Sequence, residues 1–337
     1  MKKILVTGGL GFIGSHTVVE LQNTGYKVVI IDNLHNSTMD VLDNILSITG
    51  VQPEYHHIDL RDKKLVQGFF KKNSLDGVIH FAASKAVGES VENPLLYYEN
   101  NVSTLVYILQ EMKRQKFSNF IFSSSCTVYG QSDELPITEN APVKPAESPY
   151  GNTKQIGEEI IKESCKADGL KAVALRYFNP IGAHKSAKIG ELPLGIPQNL
   201  IPFITQTAIG IRKELSVFGD DYPTQDGTAI RDYIHVVDLA KAHISALERL
   251  LHGKNKKDFE VFNIGTGKGS SVLEVIKAFE KISNSNLNYK IVGRREGDIT
   301  AAYADTALAN DELGWKHEKT LEEALLSAWK WQQKQKI

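Results

Sequence analysis

The chain has 337 residues, 42% hydrophobic and 23% charged, with 39 basic against 40 acidic side chains. That length suits one large or two closely joined domains with a substantial core, and the balanced charge excludes a nucleic-acid coat or a polybasic membrane binder. No apolar run approaches the roughly 18 residues of a membrane span, and no repeat period recurs. The basic-then-apolar start, Met1 to Val6, is ended by Thr7-Gly8-Gly9 too early for a signal peptide. Two cysteines, Cys126 and Cys165, cannot build a disulfide framework. A cytoplasmic protein without a nucleic-acid or membrane partner is expected.

Lys3–Thr7 predicts a strand, followed by a glycine cluster and a helix over Ile13–Gln22. Lys27–Ile31, Gly77–Phe81, Phe117–Ser123 and Lys171–Tyr177 predict further strands, with helical patterns over Leu95–Lys113 and Ser148–Cys165. Short, continuously apolar strands separated by helices predict an α/β fold, a Rossmann-type doubly wound parallel sheet covered on both faces. From Asn179 to Thr228 glycine and proline are frequent, with one helix-like stretch at Leu200–Arg212. Val236–Leu251 reads as a helix, Glu260–Ile264 as a strand, and Leu321–Gln332 as an amphipathic helix carrying Trp329 and Trp331. The expected division is a dinucleotide domain over 1–180 and a smaller α/β substrate domain over 181–337, with about 231–265 returning to the first. A cleft between such halves commonly holds the substrate.

Gly8-Gly9-Leu10-Gly11-Phe12-Ile13-Gly14 follows the first strand and opens the first helix. Gly8 permits the tight turn, Gly11 lets backbone approach a pyrophosphate, and Gly14 lets helix and strand pack closely. The helix amino terminus then offers free N–H groups and positive dipole to the phosphates. Asp32 ends the second strand, 18 residues after Gly14. A carboxylate there accepts both ribose hydroxyls and repels a 2′-phosphate, and Asn33 rather than Arg follows, so NAD is expected over NADP. The plainer reading is that Asp32 caps a loop.

Tyr150 and Lys154 lie at i and i+4, on one face of a helix starting after Pro149. With 12 tyrosines and abundant lysine, roughly one such pair arises by chance. Its position about 25 residues after Ser123-Ser124-Ser125, where a strand is predicted to end, gives it meaning, because parallel sheets bind ligands beyond carboxyl strand ends. A free tyrosine is a poor base at neutral pH, and a nearby ammonium would lower its pKa. Ser125 is placed to orient the reacting hydroxyl. A strand-end serine loop and a surface Tyr–Lys pair are the ordinary alternatives. No metal is expected: the ten histidines are scattered, and no HExxH or cysteine cluster occurs.

The glycine turn, the Ser-x24-Tyr-x3-Lys spacing and Ser124-Ser125-Cys126-Thr127-Val128-Tyr129-Gly130 resemble the extended short-chain dehydrogenase/reductases. Within them the chain is similar to the UDP-glucose/UDP-galactose 4-epimerases nearly end to end. The matching stretches are Asp32-Asn33-Leu34, His80-Phe81-Ala82, Lys85-Ala86-Val87-Gly88-Glu89-Ser90, Arg176-Tyr177-Phe178-Asn179-Pro180, Asp226-Gly227-Thr228, Arg231-Asp232-Tyr233-Ile234-His235 and Arg295-Glu296-Gly297-Asp298. The resemblance implies an NAD-dependent isomerase that oxidises the sugar at C4, lets the 4-keto sugar turn over and reduces its opposite face. Tyr150 would exchange the proton of the 4-hydroxyl, Ser125 would share that hydrogen bond, and Lys154 would bind the nicotinamide ribose. On the cofactor side it also implies Phe12, Ile13, Asn33, Asn36, Ser37, Asp59, Leu60, Phe81, Ala82, Ala83, Lys85, Asn100, Ser123 and Phe178. On the UDP-sugar side it implies Lys85, Asn179, Asn199, Leu200, Ser216, Val217, Phe218, Asp298 and Ala302. A homodimer is also implied.

Arginine is scarce, eight in all, and guanidinium groups clamp phosphate in a bidentate way that lysine does not. By the resemblance Arg231 and Arg295 hold the diphosphate; ion pairs with Asp232 or Glu296 are the plain alternative. Two departures stand out. Thr104 falls where many relatives carry Gly, a difference that bears on helix packing near the cofactor. Ala302 falls where some carry a bulky Tyr, and the smaller residue leaves room for a 2-N-acetyl group, so UDP-N-acetylglucosamine and UDP-N-acetylgalactosamine are expected substrates as well. The rival readings are another nucleotide-sugar epimerase or a 4,6-dehydratase, a dehydrogenase that releases NADH, and a non-catalytic NAD sensor. Dehydration needs an extra acid and base after the serine, where this chain has Cys126 and Thr127.

Overall fold

The computed structural model describes residues 1–295 and 297–335. Along the chain run β1 (Lys3–Thr7), α1 (Phe12–Asn23), β2 (Lys27–Asp32), α2 (Asp40–Thr49), β3 (Glu54–His57), α3 (Lys63–Lys72) and β4 (Gly77–His80). Next come α4 (Val87–Glu92), α5 (Pro94–Tyr97), a π-helical turn (Tyr98–Ser103), α6 (Thr104–Gln115), β5 (Asn119–Ser125), α7 (Pro149–Asp168) and β6 (Lys171–Tyr177). The second half contains β7 (Asn179–Ile181), α8 (Leu200–Ala208), β8 (Leu215–Phe218), β9 (Ile230–His235), α9 (Val236–Leu251) and β10 (Phe259–Ile264). It closes with β11 (Gly269–Ser271), α10 (Val272–Ser283), β12 (Tyr289–Val292), β13 (Ala301–Ala302), α11 (Ala307–Leu313) and α12 (Leu321–Lys334).

Seven strands form one parallel sheet in the order β10-β6-β5-β4-β1-β2-β3. Side chains alternate across it with a period of two. Ile4, Val6, Val28, Ile30, Ile79, Ile121, Val173 and Leu175 face the cluster beneath α1, α2 and α9. Leu5, Val29, Ile31, Val78, Phe120, Phe122, Ala172 and Ala174 face the cluster beneath α3, α6 and α7. Burial on both faces is why these strands read as unbroken apolar runs. The edge strand β3, Glu-Tyr-His-His, is only half buried and carries no such run.

The sequence predicted one helix over Leu95–Lys113; the structure breaks it into α5, the π turn and α6. Thr104 lies at the end of that turn, 1% exposed, and its hydroxyl donates to the Asn100 carbonyl at 2.5 Å. This bond sits at the junction of the π turn and α6.

The second half builds a small sheet around β9, flanked by β11, β13 and β7, and a separate β8–β12 pair. Within the stretch 231–265, α9 and β10 join the large sheet, whereas β9 stays with the small one. The second core holds Ile201, Ile204, Val217, Tyr233, Val275, Ile276, Phe279, Leu325 and Ala328, with the Trp329 ring edge-on to Phe279 at 5.6 Å.

Arg249, on α9, makes a bidentate pair with Glu260 on β10 (2.6 and 3.0 Å) and donates to the Glu312 carbonyl at the end of α11. Both members of the pair are buried, so removing only one leaves an uncompensated charge. Arg249→Met is expected to cost about 3–5 kcal/mol in urea unfolding, and adding Glu260→Leu to recover most of it. A single variant as stable as the wild type would refute the assignment.

Candidate functional site

The sheet order places β1 beside β4, and from that point the chain winds outward both ways, leaving a crevice beyond the carboxyl ends of the strands. The glycine turn fills its floor. Gly8 has φ +68°, and a Cβ there would lie 2.9 Å from the Ala82 nitrogen. A Cβ on Gly14 would lie 2.1 Å from the Gly8 carbonyl oxygen. Gly11 is the N-cap of α1 and supplies no side-chain cap, so the amides of Phe12, Ile13 and Gly14 are free for an anion. These features fit a dinucleotide pyrophosphate.

Asp32 is 8% exposed; Oδ2 accepts from the Leu10 amide (3.0 Å), and Oδ1 accepts from the Leu34 amide and the Ser37 hydroxyl (both 2.9 Å). The carboxylate therefore does cap a loop, and in doing so it bridges the glycine turn to residues 33–37 at the crevice rim. Asn33 donates to Asp59 (3.2 Å), whose pKa is held down to about 2, chiefly by hydrogen bonds from Arg61. Leu60 is buried and Asn36 exposed. Phe81, Ala82 and Ala83 follow β4, with the Phe81 amide on the Thr7 carbonyl (3.1 Å) and the Ala82 amide on the Thr7 hydroxyl (3.3 Å). Asn100 donates to the Ser84 hydroxyl at 3.0 Å.

At the carboxyl end of β5, Ser123 and Ser125 are both buried. Ser148 caps α7 by accepting from the Gly151 amide (3.1 Å), and Pro149 fills the first turn. Tyr150 and Lys154 thus lie one turn apart, facing β5. Lys154 is 4% exposed and its Nζ donates to the Ser123 carbonyl at 2.7 Å. Burial pulls the ammonium down to about 8, against a partial lift from Glu158. Tyr150 is pushed up to about 12 by burial, with the Ser125 hydroxyl beside it acting in the opposite direction. The lowering of Tyr150 by Lys154 that the spacing predicts is absent from the chain alone. The ammonium lies over the Tyr150 ring, 5.7 Å from its centroid, and is spent on a carbonyl.

Farther along the crevice, Asp298 gathers two arginines. Arg295 reaches it through Nη2 at 2.9 Å and Nε at 3.2 Å, and Arg231 Nη2 lies 3.8 Å away. The Arg295 guanidinium also lies 5.4 Å from the Phe218 ring centroid. Arg231 does not pair with Asp232, which instead accepts from the amides of Thr266, Gly267 and Ala304. Glu296 lies outside the described residues. On β8, Phe218 is exposed and Ser216 half-buried, but Val217, expected to line the uracil, is 1% exposed in the second core. The strand pleat turns its side chain away from the crevice. Phe178 is buried, Asn179 opens β7, and Asn199 and Leu200 begin α8. Ala302 is 2% exposed, pairs in register with Arg231, and packs with Val128 and Phe178 beside Cys126 and Ile299.

Three contributors were missed. Asn101 clamps the loop after β4, accepting from the Ser84 amide (2.8 Å) and donating to the Ser84 carbonyl (3.0 Å) and the Thr153 hydroxyl (3.1 Å). Its only sequence signal is adjacency to Asn100. Asp232 was expected only as an ion-pair partner for Arg231, not as an acceptor for the amides of Thr266, Gly267 and Ala304. Glu191, which contacts both Lys85 and Asn199, carried no signal. Among the described residues no group of three or more His, Cys, Asp and Glu is arranged to hold a metal ion, and no helix is long and apolar enough to cross a membrane.

Because burial raises the Tyr150 pKa above its ordinary value near 10, the folded chain holds that proton more tightly than the unfolded chain. Below pH 10 the shift leaves stability unchanged; stability then falls as pH climbs from about 10 toward about 12. In protein stripped of nucleotide, Tyr150→Phe should flatten this alkaline loss by about one proton and remove one late-titrating tyrosinate from the absorbance titration. An unchanged titration would contradict the burial.

The family model described as GDP-mannose 4,6 dehydratase matches residues 5–327. The chain is 51% identical over 330 residues to UDP-glucose 4-epimerase of Haemophilus influenzae, covering 98% of this chain and 97% of that one. Its fold superposes with a TM-score of 0.95 on UDP-glucose 4-epimerase from Bifidobacterium longum in complex with NAD+ and UDP, at 48% identity and 98% coverage of both chains. The UDP-Glc/GlcNAc 4-epimerase of Campylobacter jejuni superposes with a TM-score of 0.85 at 34% identity, covering 99% of each chain. With the glycine crevice, the Ser-Tyr-Lys group and this likeness over nearly its whole length, the chain belongs to the UDP-glucose 4-epimerases of the extended short-chain dehydrogenase/reductase family.

Proposed function

We propose that the chain interconverts UDP-glucose and UDP-galactose with bound NAD, and that it also accepts the N-acetylated pair. The observation that carries the reading is the convergence of Ser125, Tyr150 and Lys154 at the end of β5, beside the glycine crevice. NAD, when bound, supplies a hydride acceptor and donor for C4 and a positive ring beside the phenol. The free amides of Phe12, Ile13 and Gly14, the close approach at Gly8 and the carboxylate of Asp32 would hold it, together with the 81–85 loop and Asn100.

Tyr150 Oη takes the proton of the sugar 4-hydroxyl and gives it back after the 4-keto sugar has turned. Ser125 Oγ holds that hydroxyl in line with the phenol. Lys154, fixed by the Ser123 carbonyl, keeps a charge one turn below the tyrosine and is placed for a ribose hydroxyl. Burial alone would keep Tyr150 protonated, so its activation needs positive charge brought to the site by the bound cofactor. Rotation of the sugar demands that the nucleotide be gripped elsewhere. Arg231 and Arg295 are placed for the diphosphate, which would draw them from Asp298 and free that carboxylate for the ribose; Phe218 offers a face to the uracil.

Dehydration is disfavoured on the same ground. The Cys126 thiol after Ser125 is pushed up to about 12 by burial, and the Thr127 hydroxyl is buried without a partner; neither serves as an acid or base near neutral pH. A homodimer is supported by Val87, Val91 and Leu95, which leave apolar surface exposed on α4 and α5; sedimentation as a monomer at micromolar concentration would count against it. A cytoplasmic location is supported by the two free thiols and is tested by fractionation.

Product analysis without added cofactor, on UDP-galactose and separately on UDP-N-acetylgalactosamine, should yield both gluco forms. Net NADH release, or a 4-keto-6-deoxy product, would overturn the reading. Tyr150→Phe should lower kcat by about 10²–10⁴. Ala302→Tyr should cost the acetylated substrate at least about tenfold in kcat/KM while sparing the plain one; equal losses would refute the pocket-size argument.

A further inference from the structure

Between β7 and α8 the chain exposes Leu192, Leu194 and Ile196, yet the side chain of Glu191 beside them is only 12% exposed. One of its oxygens, Oε1, accepts from Asn199 Nδ2 at 2.6 Å and from Lys85 Nζ at 3.3 Å. Lys85 ends the loop that begins at Ala82 against Gly8 and is clamped at Ser84 by Asn101. Asn199 is the N-cap of α8 and makes no side-chain capping bond, so the orientation of its amide rests on Glu191. The backbone beneath this carboxylate is held by α12. Trp331 Nε1 donates to the Glu191 carbonyl at 3.0 Å, and its indole lies so close to Gly190 that a Cβ there would come within 2.5 Å of the ring.

We propose that Glu191 is a positioning residue that ties the Lys85 loop on the cofactor side to Asn199 on the substrate side, with its own place set by Trp331. The proposal rests on the functional reading above, with the Lys85 loop on the cofactor side and Lys85 and Asn199 on the UDP-sugar side as the resemblance implies. Glu191 shares no hydrogen bond with Ser125, Tyr150 or Lys154 among those described, so its influence falls on binding rather than on proton exchange. Lysine loses more rotamer freedom than most side chains when it is ordered. A carboxylate that orders Lys85 beforehand removes part of that cost from substrate binding.

The test is UDP binding by calorimetry, with steady-state kinetics on UDP-galactose, using the NAD-loaded enzyme. Glu191→Gln keeps an acceptor for Asn199 and removes the ion pair to Lys85. It should weaken UDP binding and raise KM by about fivefold, with kcat within about twofold, as loss of uniform binding requires. In a Lys85→Met background the same change should add less than about twofold, because the linkage is already cut. Trp331→Phe keeps the ring against Gly190 but drops the bond to the Glu191 carbonyl, and should shift KM in the same direction by a smaller factor. If Glu191→Gln fails to fold, Glu191→Asp, which keeps the charge but shortens the reach, should show the same split between KM and kcat. UDP binding as tight as wild type, additive losses in the double variant, or a fall in kcat at constant KM would each overturn the proposal. A wild-type chain that binds no UDP would overturn the functional reading itself, and this proposal with it.

Discussion

The contact on which the site depends is the near collision of backbone at the ends of β1 and β4. Gly8 lies so close to Ala82, and Gly14 so close to Gly8, that no side chain fits between them. Strand order creates the crevice by sending the chain outward on both sides of the β1–β4 pair, but only the missing Cβ atoms let α1 begin at its floor. The candidate anion site is therefore made of main chain and held by the sheet, with Asp32 binding the turn to the next loop.

Behind Ser125, Tyr150 and Lys154 lies a polar layer that is nearly all paired. Ser124 donates to Glu158, Glu158 takes both arms of Arg176, and the Arg176 guanidinium covers the Tyr129 ring at 4.8 Å. Tyr129 donates to Asn263, which in turn donates to the Ile137 carbonyl. This chain joins β5, α7, β6 and β10, so the positions of Ser125 and Tyr150 are set by elements scattered through the sequence. Buried groups of this kind hold one another in place, because each loses its water and finds a substitute only in the native arrangement.

The second sheet supplies the other wall. In β9, neighbouring residues do opposite work: Arg231 points toward the cleft and Asp298, while Asp232 is buried under the amides of Thr266, Gly267 and Ala304. The alternation of the strand separates them. Asp232 thereby fixes the run that follows β13, through the Ala304 amide two residues after Ala302.

Much of this was legible in sequence. Lys3–Thr7 and Lys171–Tyr177 were read at their observed bounds, and Gly8, Gly14, Asp32, Tyr150 and Lys154 pointed to the glycine turn, its link to the next loop and the helix beside β5, because a buried parallel strand and a glycine turn are local demands on residue type. The edge strand β3, the π turn and Val217 were not legible in this way, since half-burial, a displaced ladder bond and the pleat of a four-residue strand leave little trace in composition. Nor was the protonation of Tyr150. Spacing put a lysine one turn from the tyrosine, but only the packed structure shows that ammonium turned to the Ser123 carbonyl and the phenol governed by burial. Glu191 is the extreme case: its partners lie 106 and 8 residues away, and a contact between distant segments exists only once the chain has folded. The sequence by itself thus determined the sheet, the glycine turn and the helical face that Tyr150 and Lys154 share, all of which follow from local periodicity and residue chemistry. The tertiary structure decided which charges meet and which are buried, because those depend on distances that no single segment contains.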